Sequence, residues 1–154
     1  MPSIDDFDRQ LLALLQKNGK LGIQDLAAQT SLSTSPCWRR IRKLEEAGVI
    51  DKYVALLDRR ALGLNAMAYV HVSLLEHTEE TIKAFDSFVA RTDEIIECCS
   101  ITGSNDYMLK VVAPDAEGLE EFLMKDLLAL GIVRSSVTNF VLRQKKFTTE
   151  LPLV

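Results

Sequence analysis

Apolar residues recur at Phe7, Leu11, Leu14 and Leu15, at i, i+4, i+7 and i+8, which predicts an amphipathic helix opened by acidic residues and closed by Asn18-Gly19. A second, shorter apolar face at Ile23, Leu26 and Ala27 stops at Thr30-Ser31. Ser33 is then placed to N-cap a third helix, with Pro36 still in the first turn, where a missing N–H costs nothing. On this third helix Cys37, Ile41 and Leu44 fall within about 60° of one another at roughly 100° per residue, so they face a core. Ser35, Arg39, Arg42, Lys43 and Glu46 project the other way, and Trp38 and Arg40 occupy the flanks.

Beyond residue 60 the period changes from helical to alternating. Residues 66–75 read as a strand rich in Val and aromatic positions. Thr78 caps a helix with Glu79 and Glu80 in its first turn and Ile82, Phe85 and Val89 inward. Strands over 94–101 and 107–112 flank the loop Thr102-Gly103-Ser104-Asn105-Asp106, which has hairpin chemistry. Asp115 caps another helix, with Leu119, Phe122, Leu123, Leu127 and Leu130 inward and Gly131 ending it, and residues 133–142 form a last strand. The order β-α-β-β-α-β is ferredoxin-like: one antiparallel sheet with two helices on one face. The other face, with alternating apolar side chains, is expected to pack on a second copy. Residues 50–58 read as a further strand, joining the halves ahead of Arg59-Arg60-Ala61-Leu62-Gly63. The expected division is 1–58, a linker over 59–65, and 66–154.

Composition is that of a folded globular chain: 154 residues, 47% hydrophobic and 26% charged, with seven Gly and four Pro, which excludes collagen-like and disordered classes. The longest uncharged stretch, Ala61 to Leu75, is interrupted by Gly63, Asn65, His71 and Ser73 and is shorter than the roughly 20 apolar residues of a membrane span. The acidic start, with no apolar run behind it, is unlike a secretory signal and leads to an intracellular expectation. Cys37, Cys98 and Cys99 lack C-x-x-C spacing, and neighbours in a strand point to opposite faces, so free buried thiols are expected. With only His71 and His77 besides, no metal site is expected.

Net charge is −4, but it is unevenly distributed. Residues 1–60 hold ten Lys and Arg against eight Asp and Glu, whereas residues 61–154 hold eight against fourteen. Four positive charges fall within Arg39-Arg40-Ile41-Arg42-Lys43. Two short helices, a tight turn and a third helix with Arg outward form the pattern of a helix-turn-helix, whose last helix enters the major groove. Planar guanidinium pairs with guanine O6 and N7, making Arg39 and Arg42 the base-reading candidates, with Ser35 beside them. Arg40, Lys43, Ser33 and Thr34 are placed for phosphates. The plain alternative is a solvated basic face, and for Trp38 ordinary packing. The second half is acidic and lacks the aromatic strand signature of RNA-recognition modules, which disfavours RNA.

The run Thr34-Ser35-Pro36-Cys37-Trp38-Arg39-Arg40-Ile41, with Leu44-Glu45, Gly48-Val49-Ile50, Leu62-Gly63 and Gly103-Ser104-Asn105-Asp106-Tyr107, resembles the Lrp/AsnC (leucine-responsive/asparagine-responsive, feast/famine) transcriptional regulators over nearly the whole chain. The ending Thr148-Thr149-Glu150-Leu151-Pro152-Leu153 is similar to the T-T-x-L-P tails of one branch. The resemblance implies an α+β architecture: an N-terminal winged helix-turn-helix, a strand linker, and a C-terminal effector-binding and oligomerisation domain called RAM. It implies a cytoplasmic, nucleoid-associated protein of bacteria or archaea that binds double-stranded DNA as a homodimer, often as an octamer of four dimers. It implies no cofactor, but a free amino acid such as leucine, methionine or cysteine bound between RAM domains near Gly103 to Tyr107.

The chemistry of that loop suits a zwitterion. Gly103 permits close backbone approach, Ser104 and Asn105 add donors, and Asp106 offers an acceptor for an ammonium. Ser135, Ser136 and Thr138 are weaker candidates to complete the pocket from a neighbouring chain, and Cys98 or Cys99 to sense thiols. Ordinary turn chemistry accounts for the same loop residues equally well. Two other classes stay open: a sequence-tolerant architectural DNA-binding protein, and a sensor or enzyme without DNA contact. For the last, no Ser, His and Asp set has recognisable catalytic spacing.

Overall fold

The computed structural model describes residues 4–153, and the chain divides into two compact units, Met1–Leu56 with Lys146–Val154, and Leu57–Lys145. The last residues thus group with the first unit, not with the 66–154 domain expected from the strand pattern. Among the described residues no helix is long and apolar enough to cross a membrane.

The first unit is built on α1 (Asp6–Lys17), α2 (Ile23–Thr30) and α3 (Thr34–Glu46). Asp5 caps α1 by accepting from the Asp8 N–H at 2.9 Å, while the Asp5 N–H donates to Asp8 Oδ2, a reciprocal capping box. Leu11, Leu26, Ala27 and Cys37 form the core, with Leu14, Ile23 and Ile41 packed around it. The turn between α2 and α3 depends on Ser31, whose φ of 55° lies in the left-handed region. Thr30 Oγ1 ties this corner down by donating to the Leu26 carbonyl at 2.7 Å. Ser33 holds the N-cap position of α3, but its side chain makes no capping hydrogen bond.

Residues 51–58 do not form the expected strand. A strand needs a ladder partner, and this segment has none within the described chain, leaving Val54, Leu56 and Leu57 exposed. Tyr53 instead turns back onto the helices, its hydroxyl donating to Glu45 at 3.1 Å, and a Cβ added at Gly19 would lie 3.4 Å from its ring. The C-terminal tail is tied to α1 by a paired contact: the Leu151 N–H donates to Gln16 Oε1 at 2.6 Å, and Gln16 Nε2 donates to the Leu151 carbonyl at 3.2 Å.

The second unit runs β1 (Ala66–Leu74), α4 (Glu79–Arg91), β2 (Ile95–Ser100), β3 (Tyr107–Ala113), α5 (Ala116–Glu121) and β4 (Val133–Phe140). The sheet order is β2-β3-β1-β4, with every neighbouring pair antiparallel. Ala68, Val70 and Val72 of β1 and Leu109 and Val111 of β3 meet Phe85, Phe88, Leu119, Phe122 and Leu127 in one core. Beyond Glu121 the helix continues as a π turn over Phe122–Leu127 and a 3-10 turn over Leu128–Leu130. Five positions on a regular helix are about 140° apart, so the wider turn is what lets Phe122 and Leu127 both be buried. Opposite the helices, Tyr69 faces Lys110 and Asn139, and His71 faces Met108 and Val137. None of these six is fully buried.

The register sets Cys98 opposite Leu109 on the helix side and Cys99 opposite Met108 on the open side. All three cysteines are free thiols, but only Cys37 is buried; Cys98 is exposed because β2 is an edge strand.

Candidate nucleic-acid interface and effector loop

Because Cys37 of α3 lies in the core formed with α1 and α2, Ile41 packs against that core and Leu44 is buried, the helix must present its other face outward. Arg39, Arg42 and Lys43 are exposed there, with Ser33, Thr34 and Ser35 exposed at the helix start. The side chains of Arg39 and Lys43 make no hydrogen bond or ion pair among the described residues. Arg42 lies 5.8 Å from the centroid of the half-exposed Trp38 ring and 3.5 Å from Glu46, a loose, solvated pairing that leaves its donors accessible. Trp38 therefore serves as a platform for Arg42 and is not in the core.

Arg40 is placed differently. Its Nη1 is 2.6 Å from Asp5 Oδ2 and 2.8 Å from Asp8 Oδ1, so the side chain expected at phosphates is engaged within the unit. Hydrogen bonds from the Asp8 N–H and then from Arg40 hold the Asp5 carboxyl below the usual carboxylate range. Asp8 and Asp5 in turn push the guanidinium pKa up.

The loop after β2 brings Gly103, Ser104, Asn105 and Asp106 together; Asn105 and Asp106 bond inward to β1, while Ser104 stays exposed beside Asn105. Gly103 has φ +120°, and a Cβ there would meet nothing within 4 Å, so backbone conformation is what calls for glycine. Asn105 Nδ2 donates to Ser73 Oγ at 3.1 Å, and Ser104 Oγ lies 3.3 Å from Asn105 Oδ1. The Asp106 carboxylate accepts the Leu74 N–H at 2.8 Å and meets His77 Nε2 at 3.0 Å. The Leu74 N–H, then His77, hold the Asp106 carboxyl below its ordinary range. Asp106 is thus a brace for the end of β1, where a free ammonium acceptor was expected.

Tyr107 lies on the helix side, its ring centroid 4.5 Å from that of Phe85, and burial pushes its hydroxyl pKa up. It packs the core and does not project into the loop. Ser135 shares the open face with Ser73, next to the loop, whereas the register puts Ser136 and Thr138 opposite Val72 and Val70 on the other face. Within one chain, the three hydroxyls do not converge.

Both halves match known families. The Lrp/AsnC ligand-binding domain matches residues 67–151, and a winged helix-turn-helix DNA-binding domain matches residues 4–51. The chain belongs to the Lrp/AsnC family. It is 33% identical over 150 residues to the DNA-binding transcriptional activator DecR of Escherichia coli, covering 97% of this chain and 99% of that one. It is 35% identical over 143 residues to the leucine-responsive regulatory protein of Rhizobium meliloti, covering 93% and 92%. The crystal structure of a Neisseria meningitidis transcriptional regulator in complex with L-methionine superposes with a TM-score of 0.94 at 33% identity, covering 97% of each chain. The chain is thus a DNA-binding transcriptional regulator of the Lrp/AsnC type.

Within this Lrp/AsnC chain, two sets of structurally committed residues were not visible from sequence patterning. One is the Asp5, Asp8 and Arg40 cluster, for which the only cue was the acidic start of α1 opposite a basic α3. The other is Gln16 with the tail, a contact 135 residues apart along the chain that no local signal encodes.

Proposed function

We propose that the protein reads DNA through the outer face of α3, with Arg39 and Arg42 at base edges and Lys43, Ser33, Thr34 and Ser35 at phosphates or flanking bases. The observation that carries this is the orientation of α3: its apolar side is packed into the unit, while exposed guanidinium and ammonium groups occupy the opposite side. A bound dimer would place two such helices about 34–36 Å apart, giving an imperfect inverted repeat as the operator. Two features support a dimer, and its growth to an octamer: the half-exposed sheet face of Tyr69, His71 and Met108, and the unpaired segment 51–58.

The second part of the proposal is an amino-acid effector, supported by the match to the Lrp/AsnC ligand-binding domain and by the L-methionine in the Neisseria regulator. With its side chains already paired within the chain, the 103–107 loop offers backbone and the open space above Gly103, so the zwitterion's remaining partners come from a second copy. The role is binding, not catalysis, inside the cytoplasm and associated with the nucleoid, and the effector is the one small molecule it needs. Footprinting on a genomic pool, at two salt concentrations and with each proteinogenic amino acid in turn, tests both parts. Protection of a few related sites that changes with one or two amino acids is expected. Uniform protection of all DNA would favour an architectural protein, and no protection at all a sensor without DNA contact.

A further inference from the structure

Arg40 sits in the middle of the basic run, between the two proposed base readers, yet its guanidinium points along the flank towards the start of α1. Three groups from that start hold it. Asp5 and Asp8 both accept from Nη1, at 2.6 and 2.8 Å, and the Phe7 ring lies under the guanidinium with its centroid 5.3 Å away. The Asp8 side chain is only 4% exposed, and the two carboxylates are themselves interlocked by the capping box. A single side chain of α3 is thereby fastened to a rigid helix terminus.

A fastening at that place constrains two things: the rotation of α3 about its axis and its position along α1. Both determine where Arg39 and Arg42 point, because these are the residues adjacent to Arg40 and two positions beyond it. We infer that Arg40 is a positioning residue for operator readout, one that acts through α1 to aim Arg39 and Arg42 and makes no phosphate contact of its own. The inference rests on the DNA-reading role given above.

The partner side of the pin makes it testable. Removing the negative charge of Asp8 would by simple electrostatics favour DNA binding, so a loss of discrimination on that change points to aim and not to charge. A phosphate contact, by contrast, would contribute about 0.9 to the slope of log K against log salt. The experiment is a competition titration of full-length protein against a genomic fragment selected by the wild type and against random duplex, over a range of salt. It uses Arg40→Gln, Arg40→Lys and Asp8→Asn, each at temperatures where its melting curve shows it folded.

Arg40→Gln and Asp8→Asn are expected to lower the preference for the selected fragment by about tenfold, the size of one lost base contact, with the salt slope on random duplex unchanged. Arg40→Lys, which keeps the charge but loses the planar guanidinium over Phe7, is expected to recover part of that preference. A slope reduced by about one in Arg40→Gln, with both DNAs weakened equally, would overturn the inference in favour of a phosphate contact. Unchanged preference in all three variants would also overturn it, leaving the pin with a purely structural role. If the wild type itself shows no preference, the DNA-reading role falls, and this inference with it.

Discussion

The outer face of α3 and the loop over residues 103–107 are both rich in polar groups, but only the first has them free for a partner. The side chains of Arg39 and Lys43 are exposed with no partner among the described residues, whereas Asp106, Asn105 and Ser104 are each bonded within the unit. A helix packed on one side must leave its opposite side to solvent, so a single chain suffices to present the face proposed to read DNA. Backbone groups at strand ends need partners, and from the loop between β2 and β3 Asp106 supplies one to the end of the neighbouring strand β1, accepting the Leu74 N–H. The effector site proposed for this loop is therefore one that a single chain leaves incomplete, with a second copy proposed to supply the rest.

This contrast predicts opposite phenotypes at the two places. The largest effect is expected for Arg39→Ala combined with Arg42→Ala. Specific operator affinity should fall by about 1–3 kcal/mol for each lost base contact, while the melting temperature stays close to that of the parent. A gel-shift titration beside a thermal melt checks both, and unaltered discrimination between operator and random duplex would remove these residues from readout. Asp106→Ala should behave the other way round. Leaving the Leu74 N–H without its acceptor should destabilise the second unit by about 1–3 kcal/mol in denaturant unfolding, with affinity for random duplex little changed. Full stability of that variant would mean that the carboxylate is not a brace.

Two smaller effects sharpen the same contrast. Because the Asp106 carboxyl is held below its ordinary range, its contribution is complete above that range and is lost as pH falls through the lowered value, below the ordinary 3.8. Unfolding free energy measured against pH should fall less steeply in that acid window for Asp106→Asn than for the wild type. Gly103→Ala should cost about 1 kcal/mol, since φ of +120° disfavours any Cβ although space for one is open. A neutral outcome in the same unfolding assay would show that the loop readily takes another conformation.

Local patterning made most of the fold legible. The spacing of Leu11, Leu26 and Cys37 led to the three-helix unit, and Thr78 and Asp115 marked the helix starts of the second unit through their capping bonds. What was not legible depended on contacts distant in sequence or on other chains. Residues 50–58 have strand composition, but a strand exists only with a neighbour to pair with. The π turn at Phe122–Leu127 is set by the demand to bury both ends of that segment. At the site, the outward face of α3 followed from helical periodicity alone. The engagement of Arg40 by Asp5 and Asp8, and of Asp106 by Leu74, did not, because charge type reveals that a group needs a partner and not which partner it takes.

The most direct test of the DNA-reading face is nuclease footprinting of the wild type and the Arg39→Ala Arg42→Ala protein on the same genomic fragments. The wild type should protect a small set of related sequences with half-sites about one helical turn apart, and the double variant should lose those footprints while still binding random duplex at low salt. Identical footprints from the two proteins would contradict the assignment of α3 as the helix that reads sequence.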